Sequence, residues 1–178
     1  MTDKSAIRGE VRRRIKELTP ESKSQSATKI FTEIEQNNNF INAKCIALFA
    51  SMKDEVPTEY ALKAWLTMGK RIVVPRVEGD VMRFYDYSPD KMQIGAFGIE
   101  EPIGNDEISA DEIDLIIVPA RAFTRSGERL GRGGGFYDKY MSLNGFRAYK
   151  IGIAFSIQIF DTLPCDPHDI RVDEVVTD

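Results

Sequence analysis

Two amphipathic helices are predicted at the start of the chain. Four apolar residues recur there at spacings of four, four and three: Ile7, Val11, Ile15 and Leu18. This spacing predicts a first helix over residues 3–18. Thr19 and Pro20 then combine a capping residue with a first-turn proline, which predicts the start of a second helix. The apolar side of that helix contains Ala27, Ile30, Phe31 and Ile34.

Short apolar runs of strand length follow these helices. They lie at 45–50, 71–74, 82–87, 113–118, 150–155 and 172–176. A third helix, capped by Thr58 and stopped by Gly69, is predicted between the first two runs. A strand, a helix and a strand in this order form a βαβ unit, so these two strands should be parallel with a right-handed crossover.

The remaining segments complete a fold prediction. Residues 88–109 are rich in glycine, proline and acidic residues and are predicted to be loop. Residues 136–143 have the pattern of a short helix. Strands that alternate with helices predict an α/β fold, specifically a three-layer α/β/α sandwich with a mainly parallel sheet. Because the chain has no linker or internal repeat, we expect a single domain over residues 1–178.

Composition narrows the classes of function. Hydrophobic residues make up 42% of the chain and charged residues 29%, which is typical of a soluble globular protein. The net charge of −4 argues against general nucleic-acid binding, so we expect small-molecule partners. No apolar run is long enough for a membrane span or a signal peptide. Since Cys45 and Cys165 form neither a CxxC pair nor a disulfide framework, we expect a cytoplasmic protein. We separately expect a monomer or a weak homodimer.

A glycine-rich segment at 129–140, RLGRGGGFYDKY, carries the candidate chemistry. Its glycines are Gly131, Gly133, Gly134 and Gly135. Backbone without side chains can adopt positive φ and bring its N–H groups close to an anion, and the helix that follows adds its positive end. Arg129 and Arg132 are charge-assisted donors for phosphate, and Asp138 is a ligand type that hard metal ions prefer. The segment predicts a polyphosphate and magnesium site, with a glycine-rich surface turn as the alternative.

Other residues leave the chemistry more open. The glycine segment matches neither GxxxxGK[ST] nor GxGxxG, the second of which fails at Phe136. Asp138 could be a simple helix-start acid, and Asp169 in the DPHD turn could make only a local turn bond. His168 is the single histidine and is predicted to be a surface or hydrogen-bonded residue. The absence of an evident nucleophile or general base fits phosphoryl transfer, in which positioning and positive charge do most of the work.

Two further groups could contact a ligand. Lys4, Arg8 and Arg12 fall on one stripe of the first helix, and the simplest interpretation of that stripe is a solvated basic face. The MKDEVPT segment at 52–58 follows the first strand, at the place where open α/β sheets bind ligands. Its Glu55 could accept hydrogen bonds from a ligand ring or amine.

The glycine-rich segment and the preceding IIVPARAFTRSGE resemble the signature of the 5-formyltetrahydrofolate cyclo-ligases, also called methenyltetrahydrofolate synthetases. Five further segments occur in the order typical of that family: KSAIR, FASMKDEVPTE, GKRIVVPRV, FGIEEP and HDIRVDEVVTD. The resemblance therefore covers nearly the whole chain.

The resemblance implies conversion of 5-formyltetrahydrofolate to 5,10-methenyltetrahydrofolate, with Mg²⁺ as cofactor and ATP as co-substrate. Arg129 and Arg132 would be the catalytic residues. The implied ATP-binding residues are Lys4, Arg8, Arg129, Leu130, Gly131, Arg132, Gly133, Gly134, Gly135, Phe136 and Tyr137. The implied folate-binding residues are Ala50, Glu55, Arg132, Gly133, Gly134, Gly135 and Phe136. The implied magnesium ligands are Asp138 and Asp169.

Two positions depart from the family pattern. Gly134 stands where some members have lysine, and Phe136 stands where tyrosine is usual. The first change removes a positive charge from the phosphate loop, and the second removes a hydroxyl group. Two alternative functions therefore stay open: a non-catalytic folate- or nucleotide-binding protein, and a sugar-phosphate isomerase or transferase, although the latter would need an acid or base beside the phosphate site.

Overall fold

The structure, a computed structural model, describes residues 3–95 and 98–178. Its α-helices are α1 (Lys4–Lys16), α2 (Pro20–Glu35), α3 (Asn38–Ile41), α4 (Glu59–Thr67) and α5 (Phe136–Met141). Its strands are β1 (Cys45–Ala47), β2 (Arg71–Glu78), β3 (Val81–Asp86), β4 (Met92–Ile94), β5 (Glu100–Pro102), β6 (Glu107–Ile108), β7 (Leu115–Val118), β8 (Ala122–Phe123), β9 (Arg129–Leu130), β10 (Tyr149–Ala154) and β11 (Glu174–Thr177).

Seven strands form the main sheet, in the order β11-β10-β7-β1-β2-β3-β6. The strands from β11 to β2 are parallel, and β3 and β6 add an antiparallel edge. β1 pairs with β2 in parallel, and α4 connects the two strands, which confirms the predicted βαβ unit. The carboxyl ends of β7, β1 and β2 therefore lie side by side at one edge of the sheet.

Helices cover the two faces of this sheet and bury its side chains. Ile46 and Leu48 pack with residues of α1, α2 and α4 in one core. Ala47, on the opposite face, belongs to a second core with Tyr140 and Met141 of α5. This arrangement confirms the three-layer α/β/α fold with a mainly parallel sheet.

The first two helices begin where the sequence predicts. The Asp3 carboxylate accepts from Ser5 N at 3.2 Å and caps α1. Thr19 Oγ1 accepts from Ser22 N at 3.0 Å, and Ser22 Oγ accepts from Thr19 N at 3.0 Å, so both backbone donors at the start of α2 are satisfied. The α1 cap matters for the site because it fixes the helix that carries Lys4.

The predicted end of β1 is wrong, and the predicted cap of α4 lacks its hydrogen bond. The strand ends at Ala47 and not at residue 50, so the backbone leaves the sheet earlier than its apolar run suggests. Thr58 precedes α4 but makes no capping hydrogen bond. Its Oγ1 instead donates to Phe49 O at 2.7 Å and accepts from Ser51 N at 3.0 Å. Thr58 therefore fixes the loop that follows β1, which is part of the candidate site.

The loop predicted at 88–109 contains strands β4, β5 and β6. β4 and β5 pair with each other in a separate two-stranded sheet, and β6 pairs with β3. These strands have two or three residues, and Ile94 is 69% exposed, so no alternating apolar pattern marks them. Phe97 of the FGIEEP segment lies outside the described residues.

None of the helices in the described part of the chain combines the length and the apolarity that crossing a membrane requires.

Candidate functional site

A cavity of about 680 Å³ opens at the carboxyl ends of the central parallel strands. Phe49 and Ala50 line it just beyond β1, and Pro119 and Ala120 line it just beyond β7. This is the edge at which open α/β sheets bind ligands. The cavity therefore forms where the strand order predicts it.

The cavity brings together every site residue named from the sequence. All eleven residues of the predicted ATP set line it: Lys4, Arg8, Arg129, Leu130, Gly131, Arg132, Gly133, Gly134, Gly135, Phe136 and Tyr137. Ala50, Glu55, Asp138 and Asp169 line it as well. Arg12, which the resemblance left out, is exposed on α1 and does not line it.

The glycine-rich loop depends on two positive φ angles. Gly133 has φ of 119° and Gly135 has φ of 71°, in the region that favours glycine, and α5 starts directly after them at Phe136. Gly134 is constrained differently, because a Cβ atom there would lie 2.7 Å from Cε2 of the Phe136 ring. The two departures from the family pattern are therefore neighbours in space as well as in sequence.

Arg129 is buried beneath the loop, with 6% of its side chain exposed. Its Nε donates to Pro119 O at 3.1 Å, and its Nη1 lies 3.5 Å from Asp138 Oδ1. Its guanidinium carbon lies 5.4 Å from the centre of the Tyr137 ring. Burial lowers the pKa of Arg129, and the charge of Asp138 opposes that shift. A guanidinium stays protonated in proteins, so this residue places a fixed positive charge below the loop.

Helix α1 carries two cationic side chains to the cavity. Arg8 Nε donates to Gly131 O at 2.8 Å, which ties the glycine-rich loop to the helix. Lys4 Nζ donates to Asp166 Oδ2 at 2.7 Å and to Asp169 Oδ2 at 3.3 Å. The hydrogen bond to Asp166 is the main cause that raises the pKa of Lys4.

The two predicted metal ligands come from adjacent segments. Asp138 lies in the first turn of α5, and its Oδ1 accepts from Ile170 N at 3.0 Å. Asp169 belongs to the neighbouring turn, and its Oδ2 accepts from Asp166 N at 2.8 Å. Carboxylate oxygens are the ligand type that Mg²⁺ prefers, so this donor set fits the ion.

The turn at 166–169 holds two residues that sequence reasoning did not assign to the site. Asp166 and His168 both line the cavity. One ligand atom each of Asp166, His168 and Asp169 lies within 4.8 Å of the others. His168 was predicted to be a surface or hydrogen-bonded residue, and its side chain is indeed 76% exposed, at the rim of the cavity.

The loop after β1 contributes two carboxylates. Glu55 is largely buried, its Oε1 accepts from Met52 N at 2.8 Å, and its Oε2 lies 3.6 Å from Arg132 Nη2. Burial raises the pKa of Glu55, and the Met52 hydrogen bond and the Arg132 charge only partly oppose that shift. Asp54, which was not singled out from the sequence, accepts from Arg132 Nη2 at 2.5 Å.

Part of the cavity wall is apolar, and its residues were not predicted from the sequence. It comprises Phe49, Met52, Pro75, Val77, Met82 and Ile99. Isolated apolar residues carry no signal for a binding site, although the position of Phe49 directly after a buried strand could have indicated one. The cavity thus combines a cationic phosphate-type loop with a wall suited to a flat organic ring.

Comparison with known proteins gives a family for this fold and site. A model of the 5-formyltetrahydrofolate cyclo-ligase family matches residues 1–178. The mouse 5-formyltetrahydrofolate cyclo-ligase is 30% identical over 97% of this chain and 92% of its own length. The protein of the same name from Escherichia coli K12 is 30% identical over 94% of this chain and 96% of its own length.

Solved structures agree with these relatives. The NMR structure of Aquifex aeolicus 5,10-methenyltetrahydrofolate synthetase superposes with a TM-score of 0.86 at 33% identity, covering 97% of this chain and 88% of that one. A 5,10-methenyltetrahydrofolate synthetase from Mycoplasma pneumoniae superposes with a TM-score of 0.80 at 27% identity, covering 99% of both chains.

Proposed function

Since the chain belongs to the 5-formyltetrahydrofolate cyclo-ligase family, we propose that it converts 5-formyltetrahydrofolate to 5,10-methenyltetrahydrofolate with magnesium ATP as co-substrate. One observation carries the proposal beyond the family name. A single cavity joins a glycine-rich loop flanked by cationic side chains to an apolar wall and a buried carboxylate. A reaction between a polyphosphate and a heterocycle needs both surfaces side by side.

The reaction requires no nucleophile from the protein. The formyl oxygen of the substrate attacks the γ-phosphorus of ATP, the bond from that phosphorus to the bridging oxygen breaks, and ADP leaves. N10 then attacks the activated carbon and closes the ring, with loss of the N10 proton and departure of inorganic phosphate. Among the described residues, neither Cys45 nor Cys165 lines the cavity, and His168 lies at its rim with 76% of its side chain exposed.

The cationic residues have separate parts in this scheme. Arg132 and the N–H groups of residues 131–135 would stabilise the transferring phosphoryl group, whose charge develops on its oxygens. Arg129 would supply a fixed positive charge from below the loop. Lys4 and Arg8 would contact the nucleotide from α1, and the Arg8 bond to Gly131 O would keep the loop in its binding conformation.

The remaining polar residues would hold the folate and the metal ion. Ala50 and Glu55 lie beside the apolar wall, where the Glu55 carboxylate would accept hydrogen bonds from the polar edge of the folate ring. Asp138 and Asp169 would hold Mg²⁺, which neutralises phosphate charge when bound. The contacts of Asp138 with Ile170 N and Arg129 fall on Oδ1 and orient its carboxylate.

The test is a turnover assay with 5-formyltetrahydrofolate and magnesium ATP, followed by the methenyl chromophore and by ADP release. We expect turnover by the wild type and a loss of about 10²-fold or more in Arg132→Ala, comparable to removal of a donor to a developing charge elsewhere. Arg125→Ala is the matched control, because Arg125 is exposed and does not line the cavity. A folded wild type that binds ATP and folate without forming the chromophore would refute catalysis and support a binding protein.

A further inference from the structure

Asp54 lies between two arginines from different parts of the chain. Its Oδ1 accepts from Arg132 Nη2 at 2.5 Å, and its Oδ2 lies 2.6 Å from Arg121 Nη1. Arg132 Nη1 approaches the same Oδ2 only to 3.4 Å. A guanidinium facing a carboxylate usually closes both N–H···O bonds of the fork. Here Arg121 shares the second oxygen, and the second N–H···O bond of the Arg132 fork is longer than the first.

Arg121 is held in this position by its own surroundings. It is 8% exposed, its backbone N donates to Leu130 O at 2.8 Å, and its carbonyl accepts from Gln158 Nε2 at 3.0 Å. Among the described residues its Nη1 has no aligned hydrogen-bond acceptor, so the contact with Asp54 is an ion pair. Arg121 does not itself line the cavity.

The charges around Arg132 explain why a second arginine matters. Asp54 contacts Arg132 and Arg121, and Glu55 Oε2 lies 3.6 Å from Arg132 Nη2, so two carboxylates and two guanidinium groups meet where the glycine-rich loop adjoins the loop after β1. Burial would raise the pKa of Asp54, but the Arg132 hydrogen bond and the charges of Arg132 and Arg121 outweigh burial and lower it, so the carboxylate is ionised. Without Arg121, the carboxylates of Asp54 and Glu55 would both face Arg132 alone.

We infer that Arg121 is a positioning residue that competes with Arg132 for Asp54 and so keeps the Arg132 guanidinium available to an anionic ligand. The inference rests on the proposed function for the identity of that ligand, the ATP phosphates. Arg121 contacts Asp54 and acts on Arg132 through it, without lining the cavity itself. It is therefore distinct from the cationic residues that line the cavity.

The experiment replaces Arg121 by Met in the wild type and in Arg132→Ala, and measures kcat/KM for ATP and KM for 5-formyltetrahydrofolate. We expect Arg121→Met to lower kcat/KM for ATP about tenfold, a loss of about 1.4 kcal/mol, and to change the folate KM less than about twofold. In the Arg132→Ala background the same change should have less than about a twofold effect, because residues that act through one another are not additive. Arg121→Lys should restore part of the loss, and Arg125→Met on the same segment is the matched control.

A crystal structure of Arg121→Met gives a readout that does not depend on activity. We expect the distance from Arg132 Nη1 to Asp54 Oδ2 to shorten from 3.4 Å to about 2.9 Å as the fork closes. Equal losses in both backgrounds, or an unchanged fork, would overturn the inference. A wild type without turnover would refute the proposed function alone, since the fork geometry is still measured. If Arg121→Met does not fold, Arg121→Gln removes the charge while keeping a polar group and is measured in the same way.

Discussion

Replacement of Asp138 by Ala should destabilise the protein as well as remove a proposed magnesium ligand. Asp138 is the carboxylate partner of Arg129, at 3.5 Å, and their side chains are 17% and 6% exposed. Asp138 Oδ1 also accepts from Ile170 N at 3.0 Å. The substitution would leave a buried guanidinium with Pro119 O as its one remaining hydrogen-bond acceptor among the described residues.

The expected magnitude follows from this geometry. Two unit charges at 3.5 Å interact by about 5 kcal/mol at an effective dielectric constant of about 20. Removal of one partner from a buried pair typically costs about 3–5 kcal/mol, because the other charge stays buried. We therefore expect a loss of about 3–5 kcal/mol, or a fall in Tm of about 6–20 °C for a chain of this size. Asp138→Asn should cost less, since its amide oxygen can still accept from Ile170 N.

Urea unfolding followed by circular dichroism measures this loss. Arg129→Met in the Asp138→Ala background removes the unpaired charge and should recover part of the stability, whereas Asp161→Ala, on an exposed turn, is the matched control. If Asp138→Ala unfolds within about 1 kcal/mol of the wild type, the range typical of an exposed pair, the reasoning is refuted. A loss of turnover in that variant would then report on the metal site directly, without a correction for unfolded protein.

Three further substitutions test other parts of the site and the core. Burial raises the pKa of Glu55, so the folded state binds the Glu55 proton more tightly than the unfolded chain does. The stability of the wild type therefore falls as pH rises from about 4.3 through the raised pKa. Glu55→Gln should gain stability relative to the wild type over that interval, and a pH-independent difference in urea unfolding would contradict this. In Gly152→Ala the new Cβ would lie 2.5 Å from Cε1 of the buried Phe123 ring, so we expect a loss of about 1–3 kcal/mol in the free energy of unfolding, and wild-type stability would show that the core yields more easily. In Gly134→Ala the Cβ would displace the Phe136 ring in the cavity, so ATP affinity measured by calorimetry should change. The change should disappear in a Phe136→Ala background, and its persistence there would refute the coupling between residues 134 and 136.

Features set by local sequence were predicted well. The Thr19 and Pro20 pair located the start of α2, because a capping hydroxyl and a proline without an N–H group act on adjacent residues. The glycine-rich loop was recognised because Gly133 and Gly135 need backbone angles that other residues rarely adopt. The βαβ unit followed from the order of its elements. None of these features needs knowledge of a distant contact.

Features set by distant contacts were not predicted. β4 and β5 are short and pair with each other, and β5 packs against β2, where the buried Glu101 accepts from Val77 N at 2.8 Å. No local pattern records these contacts. Asp54 and Arg132 are 78 positions apart, so nothing in either segment indicates their hydrogen bond. Thr58 does precede α4 as predicted, but its side chain bonds back to Phe49 O and makes no capping hydrogen bond, which the local sequence does not indicate.

The two arginines of the glycine-rich segment look equivalent in the sequence but differ in the structure. Arg129 is buried and cannot move without leaving both Pro119 O and Asp138. Arg132 is 35% exposed in its side chain and contacts Asp54 and Glu55 on a loop that follows another strand, so its guanidinium can exchange these carboxylates for an anionic ligand. Arg132 needs this freedom to contact a transferring phosphoryl group on which charge develops. Arg129 needs a fixed position, because it holds the loop and the Asp138 carboxylate. We therefore expect Arg129 to act through preorganisation of the loop and Arg132 to act on the transition state.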